Sequence, residues 1–198
     1  MKNISTDLTL AKNTLDQHEL VAIPTETVYG LAANALNASA VNKIYSLKHR
    51  PQNNPLIIHC HSVEQIKQYV LHVPKKAEEL GAFFWPGPLT LLLKKNHLIP
   101  DFVTAGSEFA AFRIPNHPLT LELLKQLDYP LVAPSANPSN RISPTKAKHV
   151  FDYFQEQIPC ILDGGDCKEG IESTIVQLTE KDSIILRSGT ITYQQLFY

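Results

Sequence analysis

The chain has 198 residues, of which 43% are hydrophobic and 19% are charged, and its formal net charge is -1. This length allows one sizeable hydrophobic core, and the balanced charge argues against a protein that coats nucleic acid by bulk positive charge. Three cysteines (Cys60, Cys160 and Cys167) without a CxxC pair argue against a disulfide framework and a structural zinc site. The polar N-terminal sequence and the lack of a membrane-length apolar run predict a cytoplasmic protein.

Helical and extended patterns alternate along the chain. In residues 38–48, Val41, Ile44 and Tyr45 recur at the spacing of one helical face, which is typical of an amphipathic helix. Helices are predicted over 6–16, 38–48, 62–70, 74–84, 118–127 and 143–154. Strands are predicted over 19–23, 55–60, 89–95, 109–114, 129–134, 160–165, 173–178 and 183–189. Ser143 is the predicted N-cap of the last helix, and Thr179–Asp182 are predicted to form a hairpin turn.

The interleaved helices and nearly apolar strands favour an α/β fold, in which flanking helices cover a twisted β-sheet. The late hairpin predicts a mixed sheet rather than a purely parallel one. We expect residues 1–198 to form a single domain. Fourteen prolines, many of them at the ends of predicted strands, indicate rigid loops of the kind that build binding sites.

Several common chemical motifs are absent from the sequence. It contains no GxxxxGK[ST] phosphate loop, no GxGxxG dinucleotide fingerprint, no HExxH zinc motif and no GxSxG nucleophile elbow. The eight histidines show no metal-ligand spacing. Hydrolase and zinc-enzyme functions are therefore disfavoured, and no protein metal site is predicted.

A first polar cluster follows the strand predicted over 19–23. Thr25, Glu26 and Thr27 come at the position where a buried strand delivers side chains to the edge of a sheet. The alternative is a capped turn, in which the hydroxyls bond local N–H groups. Taken alone, this cluster favours the capped turn.

A second cluster joins a predicted helix to a predicted strand. Lys48 and Arg50, followed by Asn53 and Asn54, can reach one anion from two sides, as in polyphosphate sites. The alternative is a solvated helix end, where cations suit the helix dipole. The few helix-forming residues in "RPQNNP" favour a binding site.

A third cluster is the proline-rich segment 133–145. It carries the hydroxyl and amide side chains Ser135, Asn137, Ser139, Ser143 and Thr145. Such a rigid polar loop could bind a nucleotide phosphate or base, or it could simply cap the next helix. Both interpretations remain open on the residues alone.

Arg113 and Arg187 form a fourth group, because each closes an apolar predicted strand. An arginine in this position must reach the edge of the sheet or be paired. The carboxylate of a small substrate or a phosphate would suit it, and an ion pair within the protein would suit it equally.

Together and in this order, these clusters resemble the YrdC/Sua5 (TsaC) family of threonylcarbamoyl-AMP synthases. The resemblance runs from about residue 20 to residue 191, and no single motif in it is diagnostic. The matching motifs are "PTETVYGLAANA", "AVNKIYSLKHRPQNNPLIIH", "WPGPLTLLL", "FRIPNHP", "APSANPSNRISPT", "ILDGG", "ESTIV" and "ILRSGTI".

The resemblance implies a YrdC-like fold with a concave, positively lined cleft. It also implies an enzyme that converts L-threonine, bicarbonate and ATP into L-threonylcarbamoyl-AMP and pyrophosphate. Mg²⁺, held mainly by the phosphates, is the expected metal ion. The product would serve t6A modification at position 37 of tRNA through downstream transferase proteins, with at most weak direct contact to tRNA.

Site residues are implied by their positions within these motifs. Lys48 and Arg50 match catalytic positions, and with Ser135 and Asn137 they match the signature tetrad of the family. The implied ATP contacts are Arg50, Asn54, Ser135, Asn137, Ser143 and Arg187. The implied threonine contacts are Thr27, His59, Arg113, Ala133 and Ser173. Lys48 is expected to face the cleft.

Two residues depart from the family pattern. His49 and Asn140 stand where many relatives have glycine, and Asn tolerates a positive φ second best after Gly. The end of the sequence at Tyr198 resembles the short TsaC type. Two other functions stay open: a module that binds double-stranded RNA or tRNA, and a paralogue that acts on another carbamoyl or nucleotide substrate.

Overall fold

The computed structural model describes residues 2–178 and 183–197, which contain ten strands joined into one mixed sheet. The strands are β1 (Ile4–Ser5), β2 (Val21–Ile23), β3 (Gly30–Asn34), β4 (Ile57–His59), β5 (Leu89–Lys94), β6 (Phe109–Arg113), β7 (Leu131–Val132), β8 (Cys160–Leu162), β9 (Thr174–Leu178) and β10 (Ser183–Arg187). The predicted turn at Thr179–Asp182 lies outside the described residues, and the two strands that flank it pair antiparallel.

Helices connect most of these strands. They are α1 (Leu8–Asp16), α2 (Ala38–Lys48), α3 (Val63–Lys67), α4 (Lys75–Phe84), α5 (Asp101–Thr104), α6 (Pro118–Lys125), α7 (Ala147–Phe154) and α8 (Tyr193–Phe197), with a 3-10 turn at Gln155–Gln157. Within residues 2–178 and 183–197, no helix combines the length and the apolar character needed to cross a bilayer.

The order of strands across the sheet differs from their order in the chain. It runs β1-β8-β2-β3-β7-β4-β6-β5-β9-β10. The pairs β1–β8, β2–β8, β4–β6 and β5–β9 are parallel, and the other neighbours are antiparallel. The predicted mixed α/β fold is confirmed. In this order β4, β6, β5, β9 and β10 are consecutive in the sheet, although β4 and β10 are far apart in sequence.

The hydrophobic core lies between the sheet and its helices. Helix α2 packs on β3 and buries Val41, Ile44 and Tyr45, the three residues whose spacing predicted its apolar face. Ile58 in β4 and Phe112 in β6 are fully buried in the same core. Burial of each such side chain contributes about 1.5–3 kcal/mol, so the sheet centre is the rigid base of the molecule.

Strand β3 is the main element that the sequence patterns missed. Its sequence, "GLAAN", is poor in the β-branched and aromatic residues that favour strands. All five residues are nevertheless buried between β2 and β7. An added Cβ at Gly30 would lie only 3.1 Å from Cβ of Ala133, so the small residue permits a close approach of two backbones. Tertiary packing therefore decides the conformation here.

The predicted start of helix α7 is wrong. The helix begins at Ala147, with Lys146 as its N-cap and no side-chain cap. Pro144 O accepts a hydrogen bond from Tyr29 N (2.8 Å), and Ser143 Oγ donates to Glu172 Oε1 (3.1 Å). The segment before the helix therefore bonds to distant parts of the chain instead of continuing the helix.

His49 and Asn140, the two departures from the family pattern, both adopt left-handed backbone conformations. Their φ angles are 51° and 65°. His49 ends helix α2, and its side chain is exposed. Glycine adopts this conformation without the steric cost that a side chain brings, which fits the glycine that the family resemblance implies at these two positions.

Replacing His49 by Gly is expected to change the free energy of unfolding by less than about 1 kcal/mol, because relief of left-handed strain is offset by greater entropy of the unfolded chain. His49→Val should lower it by more than about 1 kcal/mol, since a β-branched residue is strongly disfavoured at positive φ. Urea unfolding of both variants measures the difference. Equal stabilities of the Gly and Val variants would contradict this account of the helix end.

Candidate functional site

Loops and strand ends from distant parts of the sequence enclose a cavity of about 480 Å³. Its apolar lining includes Leu92, Ile175 and Leu186. The arginines of the second and fourth sequence clusters also line it. Its polar lining includes Arg50, Asn54, His59, Arg113, Ser135, Glu172, Ser173 and Arg187.

Most predicted site residues line this cavity: Arg50, Asn54, His59, Arg113, Ala133, Ser135, Ser173 and Arg187. The others are outside this lining but bond lining residues or neighbouring loops: Thr27, Lys48, Asn137 and Ser143. The structure therefore gathers the four sequence clusters in one place around the cavity.

Lys48 lies behind the cavity wall. Only 2% of the residue is exposed, and its ammonium donates hydrogen bonds to the carbonyl oxygens of Ser135 and Asn137 (2.5 Å to the latter). Ser139 N in turn donates to Lys48 O (2.8 Å). Burial lowers the pKa of Lys48 to about 8. The expectation that Lys48 faces the cleft is wrong: its side chain fastens the polar loop to the end of helix α2.

Arg113 is held by a buried carboxylate. Its Nη2 donates to Glu26 Oε1 (2.7 Å) and to Thr27 Oγ1 (2.9 Å). The second oxygen of Glu26 accepts a hydrogen bond from Asn116 N (2.9 Å). The ion pair within the protein, one of the two alternatives left open by the sequence, therefore forms, and Arg113 also lines the cavity.

Arg187 is paired in a similar way. Its Nη1 bonds Glu172 Oε2, and its Nη2 donates to Ser173 O (2.9 Å) and to Ser173 Oγ (3.0 Å). Burial lowers the pKa of Arg187, and the nearby Glu172 acts in the opposite direction. Each strand-ending arginine is thus fixed by one carboxylate and one hydroxyl.

Arg50 differs from both, since its described hydrogen bonds are to backbone oxygens. Its Nε donates to Asn54 O (3.2 Å) and its Nη2 to Pro55 O (2.8 Å). Burial lowers the pKa of Arg50, although an arginine remains charged under all ordinary conditions. Without a carboxylate partner among the described residues, Arg50 offers the most available positive charge to an anion in the cavity.

His59 presents a neutral imidazole at the cavity. The residue is 2% exposed, and burial together with the nearby Arg113 lowers its pKa to about 3. Its Nδ1 lies 3.2 Å from Ile57 O. A neutral ring that donates from Nδ1 to this carbonyl keeps Nε2 as a hydrogen-bond acceptor.

Sequence reasoning placed Glu26 in the first polar cluster without giving it a role, and it did not single out Glu172. Both lie inside motifs that were recognised, "PTETVYG" and "ESTIV". Their partners, Arg113 and Arg187, are 87 and 15 residues away in sequence. A carboxylate beside hydroxyl residues is only a weak sequence signal of an ion pair. The arginine that each glutamate pairs with becomes visible only in the folded structure.

A family model named Sua5_yciO_yrdC, described as telomere recombination, matches residues 13–189. The chain belongs to the Sua5/YciO/YrdC family. The predicted resemblance to the YrdC/Sua5 family is therefore confirmed over most of the sequence.

Several curated proteins are similar to this chain in sequence. The threonylcarbamoyl-AMP synthase of Pyrococcus abyssi (strain GE5/Orsay) is 45% identical over 187 residues, covering 94% of this chain and 55% of the relative. That of Bacillus subtilis (strain 168) is 47% identical over 184 residues, covering 92% and 53%. The chain spans about half the length of these curated relatives.

A solved structure agrees with these sequence relationships. The crystal structure of P. abyssi Sua5 complexed with L-threonine matches with a TM-score of 0.89 and 46% sequence identity. The match covers 92% of this chain and 54% of that chain. The YrdC-like fold is therefore shown for nearly all of this sequence.

Replacing Lys48 by Met removes the ammonium that bonds Asn137 O, whereas Ser135 O keeps the hydrogen bond from Asn137 N (3.0 Å). We expect a loss of about 1–3 kcal/mol in the free energy of unfolding, because a buried carbonyl that loses its donor is costly. The amide of Ser139 should exchange faster with solvent, which hydrogen exchange and mass spectrometry would detect. Lys125→Met, on an exposed residue of α6, is the control. Unchanged stability and unchanged exchange in the Lys48 variant would contradict a fastening role.

Proposed function

We propose that this chain acts as an L-threonylcarbamoyladenylate synthase. In the proposed reaction, L-threonine, bicarbonate and ATP give threonylcarbamoyl-AMP, pyrophosphate and water. One observation carries the proposal: Arg50, Arg113 and Arg187 line a single cavity together with a hydroxyl and a neutral imidazole. Similarity to relatives named threonylcarbamoyl-AMP synthase supports it and favours it over an RNA-binding module.

Arg50 and Arg187 are assigned to the ATP phosphates. Guanidinium groups match phosphate oxygens with two parallel hydrogen bonds, and these two line the same cavity. Asn54, Ser135 and Ser143 are assigned as neutral contacts to the nucleotide. Asn137 supports the same loop, because its amide donates to Arg141 O (2.7 Å).

A P. abyssi Sua5 structure contains L-threonine, and we assign this amino acid to the part of the cavity near Arg113. The described bonds of Arg113 use Nη2 and Nε, and we assign Nη1 to the substrate carboxylate. His59 and Ser173 are assigned to the substrate hydroxyl, with Thr27 and Ala133 completing the subsite. Buried polar side chains that bond a substrate hydroxyl lower kcat/KM for an analogue without that hydroxyl by roughly 10⁴-fold.

In the proposed reaction the protein positions the substrates and forms no covalent bond with them. The threonine amine and bicarbonate first form a carbamate with loss of water. A carbamate oxygen then attacks the α-phosphorus of ATP, and pyrophosphate leaves in line with the attack. Arg50 offsets the charge that grows on the phosphate oxygens, and the fixed loop holds the reactants in place. No residue is assigned as a general base.

Mg²⁺ is assigned to the nucleotide phosphates. The part of the chain that the structure describes contains no group of three or more Asp, Glu, His or Cys side chains that could hold a metal ion. Mg²⁺ commonly binds through one or two carboxylates together with substrate phosphates and water. Glu172 is the carboxylate of the described cavity lining that fits this donor set.

The wider setting of the proposed activity follows from its product. Threonylcarbamoyl-AMP would be passed to a downstream t6A transferase that modifies position 37 of tRNA. We propose that residues 1–198 act as one YrdC-like domain in the cytoplasm. A paralogue with a different amino acid substrate is the alternative that the assay below separates.

Pyrophosphate release should require L-threonine and bicarbonate together with ATP. Replacing Arg50 by Ala should lower kcat/KM for ATP by about 10²-fold or more, because a charge-assisted contact to phosphate is lost. A coupled pyrophosphate assay measures both effects. L-valine, which lacks the hydroxyl, should support turnover at least ~10⁴-fold less efficiently than L-threonine.

Lys125→Ala is the matched control for Arg50→Ala, since it removes an exposed positive charge outside the cavity. Pyrophosphate release that is equally fast without threonine or without bicarbonate would overturn the proposed reaction. Equal use of L-valine and L-threonine would overturn the assignment of His59 and Ser173 to the substrate hydroxyl.

A further inference from the structure

Glu172 has a special place in the cavity lining. Among the lining residues that the structure describes, it is the one carboxylate, and the cations Arg50 and Arg187 line the same space. It lies at the start of the segment that leads into β9, directly before the fully buried Ser173. Its side chain is 34% exposed, so it is open to the cavity while remaining partly desolvated.

The carboxylate of Glu172 bonds two side chains that the proposed function assigns to ATP. Its Oε2 bonds Nη1 of Arg187, and its Oε1 accepts a hydrogen bond from Ser143 Oγ (3.1 Å). An arginine fork and a hydroxyl are also what a phosphate oxygen would take. A metal-free phosphate that used Arg187 would therefore have to displace Glu172 and remain beside its negative charge.

The backbone prevents Glu172 from moving far from this place. Thr190 N donates to Glu172 O (3.2 Å), and Arg187 Nη2 donates to Ser173 O (2.9 Å). A Cβ on Gly189 would lie 2.3 Å from Glu172 O, so the two backbone segments are packed as closely as a glycine allows. The carboxylate can rotate, but it stays in the cavity.

The charge of Glu172 acts on a wider group of cations. It raises the pKa of Lys48, Arg50 and Arg187 against the effect of burial. This region therefore holds three positive charges and one negative charge, whereas Arg113 has its own partner in Glu26. Such a balance suits an anion of moderate charge better than a highly charged one.

Mg²⁺ changes the charge that a triphosphate presents. The bound ion cancels part of the negative charge of the phosphates, and it prefers oxygen ligands such as carboxylates. A metal-free triphosphate would repel Glu172, whereas a magnesium-complexed one would offer it a cation. The same carboxylate thus opposes one form of the nucleotide and favours the other.

We propose that Glu172 makes this cavity select the magnesium complex of a nucleoside triphosphate over the metal-free form. This inference rests on the proposed function, because it concerns the form in which the nucleotide binds. It adds a specificity residue that the sequence motifs did not assign. Glu172 acts by its charge on the bound nucleotide, and it takes no part in bond making or bond breaking.

Isothermal titration of the whole chain with ATP, in the presence of Mg²⁺ or of EDTA and without threonine or bicarbonate, measures this selectivity. The wild-type protein should bind the magnesium complex more tightly. Glu172→Gln keeps the length of the side chain and its oxygen acceptor but removes the charge. It should bind metal-free ATP more tightly than the wild type, and its preference for the magnesium complex should fall by about 10-fold.

Glu169→Gln is the matched control, because Glu169 is an exposed glutamate three residues earlier in the same loop. It should keep the wild-type preference. Thermal unfolding checks that each variant is folded, and Glu172→Ser provides a second neutral variant if Glu172→Gln is not.

Two results would overturn the inference alone. One is an unchanged preference for the magnesium complex in the neutral Glu172 variants, and the other is weaker binding of metal-free ATP by them. Either result would show that Glu172 only holds Arg187 in position. A wild-type chain that binds neither form of ATP would overturn the proposed function together with this inference.

Discussion

The geometry of the cavity depends on one buried ammonium group. Lys48 ends helix α2 and bonds the carbonyls of Ser135 and Asn137, so it joins the helix to the polar loop after β7. Burying an ammonium is costly unless its hydrogen bonds are met, and these carbonyls meet that need. Arg50 and Asn54, which follow the helix, and Ser135, which lies in the loop, all line the cavity. Lys48, which the family resemblance matches to a catalytic position, thus fastens the loop that contributes Ser135 to the cavity.

Paired charges define the rest of the site. Arg113 and Arg187 are each fixed by a glutamate and a hydroxyl, whereas Arg50 keeps backbone partners alone among the described residues. Fixed guanidinium groups lose little entropy when a ligand binds, which favours precise orientation of reactants. Arg113 and Arg187, which already have carboxylate partners, therefore suit the orientation of reactants. Arg50, which has no carboxylate partner among the described residues, suits the stabilisation of negative charge.

Sequence patterns predicted much of this arrangement, but for different reasons in different places. The apolar spacing in α2 and the apolar runs in β4, β5 and β6 reflect local burial, which periodicity detects. Strand β3 escaped because "GLAAN" lacks strand-forming side chains, and its conformation comes from its neighbours in the sheet. Ser143 was misplaced as a helix cap because its partner, Glu172, is 29 residues away. The partners of Lys48 and Arg113 likewise depend on strand order, which no local pattern contains.

The central claim is that this cavity joins ATP to a carbamoylated amino acid. Mass spectrometry of reactions that contain ATP, bicarbonate and a panel of amino acids tests it most directly, because the adenylate product is observed itself. The account predicts one dominant adenylate, threonylcarbamoyl-AMP, which gains the label of ¹³C-bicarbonate. A labelled adenylate formed mainly from another amino acid, or no labelled adenylate with any amino acid, would contradict it.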